Sequence, residues 1–345
     1  MAELNFDKAT LAWTLPWDAD WVTSIAFIGG TRKVAAGNNL GQIMLWDLPE
    51  KPGEPAPSPL RRLDGHTNVV TRLLATADGK QLISASNDHS IRYWDMQAAA
   101  KGDATVVLND RAIKDATARK NNGAKVPPPI EAKVELQECA KSLTAHKDWV
   151  LGLAMSKDES LLLSGDDRGQ VVLWDRPAAK ELKRWQVKGW AFAIAISPDN
   201  KQALVSERLP LIFDSGRHSG LKLWDIEKAQ VQKDLEPEFK GGMPMGSAAF
   251  SPDGKLLALG RVGEGEGKVH LFDTVAGKKV RDLAPVHYSG VTDIAWHPDG
   301  VHFASAGRDT VVRIWNSADG KMVKEIGKGR GGQFKDWICA ISFSR

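Results

Sequence analysis

The residues best suited to act on another molecule in this 345-residue chain are arginines spread from its middle onward. Arg168, Arg208, Arg217, Arg261 and Arg308 fall in short turns between apolar runs, and Arg330 and Lys335 follow in a later loop. A planar guanidinium grips two carboxylate or phosphate oxygens at once, so such a row would receive an anion. Asp166, Asp167, Glu207, Glu264 and Glu266 lie in the same turns and would partly neutralise it. Catalytic patterns are missing. There is no Gly-x-Ser-x-Gly and no His-Glu-x-x-His. Cys139 and Cys339 form no Cys-x-x-Cys pair, so the sequence points to no metal and no cofactor. His297 and His302 flank one turn, which is too few ligands for a metal site. Gly263-Glu264-Gly265-Glu266-Gly267 is glycine-rich but acidic, and lacks the lysine and hydroxyl of a phosphate loop.

The elements that would position these residues repeat. The chain has 13 Trp but only 2 Tyr, a bias that suggests a recurring structural position. Trp46-Asp47, Trp94-Asp95, Trp174-Asp175, Trp224-Asp225, Phe272-Asp273 and Trp315-Asn316 recur at intervals of roughly 43 to 50 residues, save one of about 80. A short aliphatic or β-branched run precedes each pair, as in Ile43-Met44-Leu45 and Val171-Val172-Leu173. A second run lies upstream, as in Leu161-Leu162-Leu163-Ser164. Before that come turns such as Ser197-Pro198-Asp199-Asn200 and Ser251-Pro252-Asp253-Gly254, where Pro sets φ and Asp-Gly closes the bend. With a strand ahead of the turn and another after the Trp-Asp, each unit holds four short strands, one propeller blade.

In these features the sequence resembles the WD-repeat family over nearly its whole length. The resemblance implies an all-β chain, a β-propeller of four-stranded antiparallel blades, seven-bladed with the last blade incomplete in this chain. Units fall at 20–47, 66–95, 146–175, 187–225, 241–273 and 287–316. It also implies a structural tetrad of hydrogen-bonded side chains, matched by His66, Ser84, Asp88 and Trp94 and by His287, Ser305, Asp309 and Trp315. His146, Ser164 and Trp174 match a third, but Arg168 stands at the Asp position, so that network is expected to be altered. In the first unit Asp18 and Ala36 replace the His and Ser, and units four and five lack the tetrad too. As members of a buried network, these histidines are not expected to be catalytic. Trp21, Trp149, Trp190 and Trp337 begin first strands at matching positions and are expected to pack between blades.

Family closure would place residues 8–15 as the outer strand of the last blade, with residues 336–345 supplying the inner strand of a seventh unit. Its middle strands are then missing. A longer gene product, strand donation by a partner and a six-bladed ring are the alternatives. An insertion at 96–140 passes Pro127-Pro128-Pro129, with a helix-like stretch near 110–120. It reads either as a tolerated surface excursion or as a docking arm, as does the Pro-rich 49–59 segment.

A net charge of +3 is too small to indicate nucleic acid. No leader pattern is visible at the N-terminus and no apolar run is long enough to span a membrane, which makes a cytoplasmic address the default. The expected function is a non-catalytic scaffold for protein–protein interaction, with partners docking on the propeller rims. The alternative is a reader of an acidic or phosphorylated peptide through the Arg-bearing rim.

Overall fold

A computed structural model describes residues 6–18, 20–120, 124–208, 219–239, 245–263, 267–327, 334 and 336–344. The chain divides into two compact units. One comprises residues 9–143 and the terminal 344–345, and the other residues 1–8 and 144–343.

In the first unit, β1 (Val22–Phe27), β2 (Lys33–Asn38), β3 (Ile43–Asp47) and β4 (Arg61–Asp64) form an antiparallel blade. Next come β5 (Val70–Ala75), β6 (Gln81–Ser86), β7 (Ile91–Asp95), β8 (Gly102–Val107), α1 (Asp110–Ala118), β9 (Glu131–Glu138) and β10 (Lys141–Leu143). Strand β10 pairs with β7 and completes the second blade. The insertion is therefore not a bare excursion. Strand β9 runs parallel beside β4, with Arg61 opposite Glu135, and β8 pairs antiparallel with β9, so the first sheet has six strands.

The second unit holds four blades in chain order. They are β11 to β14 (Val150–Met155, Leu161–Asp166, Gln170–Asp175, Lys180–Gln186), β15 to β18 (Trp190–Ile196, Gln202–Arg208, Ser219–Asp225, Gln230–Asp234), β19 to β22 (Met245–Phe250, Leu256–Arg261, Gly267–Asp273, Lys278–His287) and β23 to β26 (Val291–Trp296, His302–Gly307, Val312–Asn316, Met322–Ile326).

The first hairpin of most blades is closed by one local device. A hydroxyl donates to an Asp two residues on: Thr76 to Asp78, Ser156 to Asp158, Ser197 to Asp199 and Ser251 to Asp253, all at 2.6–2.7 Å. The same carboxylate accepts the backbone N–H that re-enters the next strand, as Asp253 does from Lys255 at 3.0 Å. These are side-chain-closed turns, and they set the register of the strands they join.

The blades pack face to face. In the first blade Ala35, Ile43 and Leu45 share a core with Val70, Leu73, Leu82 and Trp94 of the second. Fourth-blade Trp224 meets Leu163 and Leu173, fifth-blade Phe272 meets Leu221 and Leu223, and sixth-blade Trp315 meets Val269 and Leu271. The aromatic residue of each of these blades thus faces the blade before it. For Trp46 the insertion takes that place. Val34, Ala36, Met44 and Trp46 alternate with the residues facing the second blade and so lie on the opposite face of the sheet. They are covered by Val106, Leu108, Ala132 and Val134, with Leu15 and Trp17 alongside.

The structure forms no strand over residues 8–15, where a closing outer strand was expected. The Trp13 indole donates to the Glu54 carbonyl at 2.9 Å, and Trp17 packs on Trp46 with ring centroids 5.6 Å apart. The segment is held by side chains rather than by a ladder. Residues 336–344 also carry no strand, yet they sit beside the sixth blade as a first strand would. Ile338 N–H donates to the Gly307 carbonyl (3.3 Å), the Thr292 hydroxyl donates to the Ile338 carbonyl, and Ile341 N–H donates to the Asp293 carboxylate (2.9 Å). Between the first two blades, Thr23 and Ser24 bind Val70 and Leu73 in the same pattern.

If the insertion closes the first blade, a buried charge in it will be costly. Val134→Asp should lower unfolding free energy by about 3 kcal/mol or more, because Val134 is 2% exposed and packs in an apolar cluster with Val34, Ala36 and Trp46. The midpoint of urea denaturation measures this. A change within about 0.5 kcal/mol would mean that the hairpin is only a surface excursion.

Candidate functional site

The polar side chains divide into a buried set that holds blades and an exposed set on their rims. In the second blade His66 contacts Asp88 through Nδ1 at 2.7 Å and Ser84 Oγ through Nε2 at 2.7 Å, and the Trp94 indole donates to the same oxygen at 2.8 Å. With the imidazole proton on Nδ1, every group is satisfied: Trp94 donates to Ser84, Ser84 to His66 and His66 to Asp88. His287, Ser305, Asp309 and Trp315 repeat this at 2.8 Å throughout. The composition is that of a hydrolytic relay, but Ser84 and Ser305 are wholly buried and their oxygens already have partners. Their chemistry is structural.

The third network is complete, though built differently. His146 contacts Asp166 at 2.9 Å and Ser164 at 2.6 Å, and Trp174 donates to Ser164 at 2.9 Å. The carboxylate comes from the end of β12, two residues before the turn position that Arg168 occupies. The neighbouring Asp166 was the signal in the sequence. In the first, fourth and fifth blades Ala36, Val205 and Leu259 stand where Ser84 stands, opposite Met44, Lys222 and His270. Among the described residues the Trp46 and Trp224 indole nitrogens accordingly find no hydrogen-bond partner. Other pairs replace the tetrad: Glu207 with Lys222 at 2.7 Å and His270 with Asp282 at 2.7 Å.

The expected arginine row is not one surface. Arg261 is 6% exposed. It ends β20 opposite Met245, the position that Asp166 and Ser86 hold in their own strands, and therefore points into the blade rather than out of a turn. Arg168 is exposed, but its guanidinium is held by Asp148 at 2.8 Å. That hydrogen bond lowers the Asp148 carboxyl, whereas burial, then the charge of Asp148, pushes Asp167 up to about 6. Arg308 is exposed and lies over the Trp337 ring, 4.6 Å from its centroid. The Arg208 side chain, Arg217, Arg330 and Lys335 lie outside the described residues.

The matching tryptophans correct another expectation. Trp21, Trp149 and Trp337 are 44–47% exposed, and Trp190 is half-buried. They stand at the heads of first strands beside the turns between second and third strands. Asp167 N–H donates to the Trp149 carbonyl at 3.1 Å, and Asp148 and Asp336 each accept the N–H of the Trp that follows, at 3.0 and 2.8 Å. The indoles are thus set on an ordered backbone with much of each ring in water.

His297 and His302 both contact Asp299, at 3.2 and 2.7 Å, and Phe6 packs edge-on against both rings. They fasten a turn. Among the described residues no group of three or more His, Cys, Asp or Glu could hold a metal ion, and no helix is long and apolar enough to cross a membrane.

Blades of four antiparallel strands, each ending its third strand with Trp-Asp or a near relative, and His–Ser–Asp–Trp networks within them define a WD-repeat β-propeller. The family model described as "WD domain, G-beta repeat" matches residues 57–95, 137–175 and 277–316, so the chain carries repeats of that kind. It is similar to the small ribosomal subunit protein RACK1 of Candida albicans (24% identical, covering 88% of this chain and 94% of that protein) and of Medicago sativa (25%, 88% and 96%). It also resembles the target of rapamycin complex subunit wat1 of Schizosaccharomyces pombe (24%, 69% and 74%). Proteins of this class are scaffolds for interaction with other proteins and are generally non-catalytic.

Two measurements test the buried networks. Asp166→Ala leaves the buried His146 Nδ1–H without an acceptor and should cost about 2 kcal/mol, while Arg168→Ala at the rim should change stability by less than about 0.5 kcal/mol. The reverse order would place the network carboxylate elsewhere. The second is pH dependence. Burial lowers the His66 pKa below its ordinary 6.5, so the unfolded chain takes up the proton first and stability falls as pH drops through that value. Burial alone would raise the Asp88 and Asp309 carboxyls, but hydrogen bonds and neighbouring charge, from His66 and Ser90 in the one and from His287 and Arg313 in the other, together hold both below 3.8, so a second loss begins as pH falls below that value. Urea midpoints between about pH 8 and pH 3 should therefore decline in two stages. Midpoints that stay flat down to about pH 5 would contradict the neutral buried His66.

Proposed function

We propose that this protein is a non-catalytic scaffold whose partner docks on the rim of the second unit, with Trp149 and Trp337 as anchors. The observation that carries this reading is their exposure. Both rings are 44% exposed at ordered, structurally matching positions, and one lies under an arginine. Tryptophan and arginine are the residue types most often found at energetic centres of protein interfaces. An exposed indole loses hydrophobic stabilisation in the free protein that a partner would restore.

The relatives support the direction of the proposal. Two are named as ribosomal subunit proteins and one as a complex subunit, so each is named as a component of a larger assembly. The absence of an enzymatic role and a cytoplasmic address belong to the same proposal. Recognition of an acidic or phosphorylated peptide now rests, among the described side chains, on Arg308 alone. Arg261 is buried and Arg168 already holds a carboxylate.

Affinity capture with the full chain tests this. Trp149→Ala with Trp337→Ala should remove the partners that the wild type retains, with the chain still folded, since nearly half of each ring is in water. Loss on Arg308→Glu but not on the Trp changes would favour the anion reader. Retention of every partner by all variants would rule out this rim.

A further inference from the structure

A second surface, in the first unit, follows from the sheet edges. The outermost strand of a blade presents unpaired N–H and C=O groups, and natural sheets guard such edges with charges, short length or bulges. Five of the outer strands here are guarded. Strand β14 carries Lys180, Glu181, Lys183 and Arg184, and β22 carries Lys278, Lys279, Arg281 and Asp282. Strand β18 ends in Lys233-Asp234, β26 holds Lys324-Glu325, and β10 is three residues long and begins with Lys141. Strand β8 differs. Its sequence is Gly-Asp-Ala-Thr-Val-Val, with one charge near its start and β-branched residues for its second half. It is the last strand of its sheet, and Asp103, Thr105 and Val107 are exposed.

Backbone parity shows which groups are free to pair. Leu108 N–H donates to the Ile130 carbonyl, and Glu135 N–H donates to the Leu60 carbonyl. In an antiparallel ladder bonding alternates, so even-numbered residues of β8 bond to β9 and the N–H and C=O of Asp103, Thr105 and Val107 point away from the sheet. The side chains of the same three residues form the exposed face. Beside them on β9 lie exposed Glu131 and Lys133, while Glu135 is engaged by Arg61. Asp103 and Glu131 together outweigh Lys133, so the face is acidic.

We propose that the β8 edge accepts an extended segment of a protein partner as an added antiparallel strand. The segment carries an apolar residue opposite Val107, a β-branched residue opposite Thr105 and a basic residue opposite Asp103. Backbone pairing supplies the attachment, and the cross-strand pairs select register and sequence. The insertion thus covers Trp46 with one face while its edge and other face remain available.

The test uses the full chain and a short synthetic peptide with valine, threonine and arginine at alternate positions, its binding followed by fluorescence anisotropy. The wild type should bind it, and a glutamate-for-arginine peptide should bind about fivefold more weakly. Thr105→Pro removes one outward N–H while leaving the bonds to β9 in place, and should weaken binding about tenfold with far-ultraviolet circular dichroism unchanged. Asp103→Lys should reverse the preference between the two peptides without depending on a change in the backbone. Absence of peptide binding, or binding indifferent to both substitutions, would overturn the proposal. Concentration-dependent self-association that Thr105→Pro abolishes would overturn it in favour of a second copy as the occupant. Because Trp149 and Trp337 play no part in this experiment, its failure leaves the rim proposal untouched.

Discussion

Both faces of a blade have to be covered. Along β2, β6, β12, β20 and β24 five consecutive residues are buried, so side chains on both faces of these central strands are removed from water. A sheet of this kind cannot stabilise itself; it must be sandwiched. Covering the aromatic at the end of the third strand is the largest single requirement, and Trp46, Trp94, Trp315 and Phe272 are among the largest fully buried side chains. In four blades the preceding blade meets it. In the first, a hairpin from further along the chain folds back and meets it. The insertion therefore answers the same physical demand as a blade, with two strands and a helix in place of four strands.

The buried polar groups depend on this packing. A His–Ser–Asp–Trp network is favourable only when every donor and acceptor is matched and water is excluded, since one missing member leaves a desolvated group without compensation. The three complete networks obey this, including the one that draws Asp166 from a strand end. Where the serine is replaced by Ala36, Val205 or Leu259, the histidine at the network position is gone as well. Different blades then use the same interior volume for unlike pairs, Glu207 with Lys222 or His270 with Asp282. What holds across them is local pairing of polar groups rather than one fixed set of residues.

This explains what was legible in the sequence. Trp-Asp spacing and the Ser-Pro-Asp turns are local signals, and each Trp-Asp or near relative does end a third strand. The insertion was legible only as a helix. Its strands alternate, with Ala132 and Val134 buried and Glu131 and Lys133 exposed, but the surface they bury lies on a sheet that ended some seventy residues earlier in the chain. A parallel pairing at that distance leaves no nearby turn motif to announce it. Arg261 was misplaced for a related reason. Whether it lies in a turn or at a strand end depends on one residue of register, and a one-residue slip exchanges the solvent side for the interior.

Exposure separates the tryptophans that build the fold from those left for another use. The tryptophans closing third strands are almost wholly buried, and their loss would be felt by neighbouring blades. Trp21, Trp149 and Trp337 sit at first-strand heads with nearly half of each ring in water. Packing does not require so large a side chain there: the second blade has Val69 and the sixth Gly290 at the corresponding place. An aromatic ring at a position where the same fold accepts valine or glycine does not answer a demand of the fold. Its size and its polar N–H suit contact with a surface outside the blade, and Arg308 resting on Trp337 already illustrates how that ring is used.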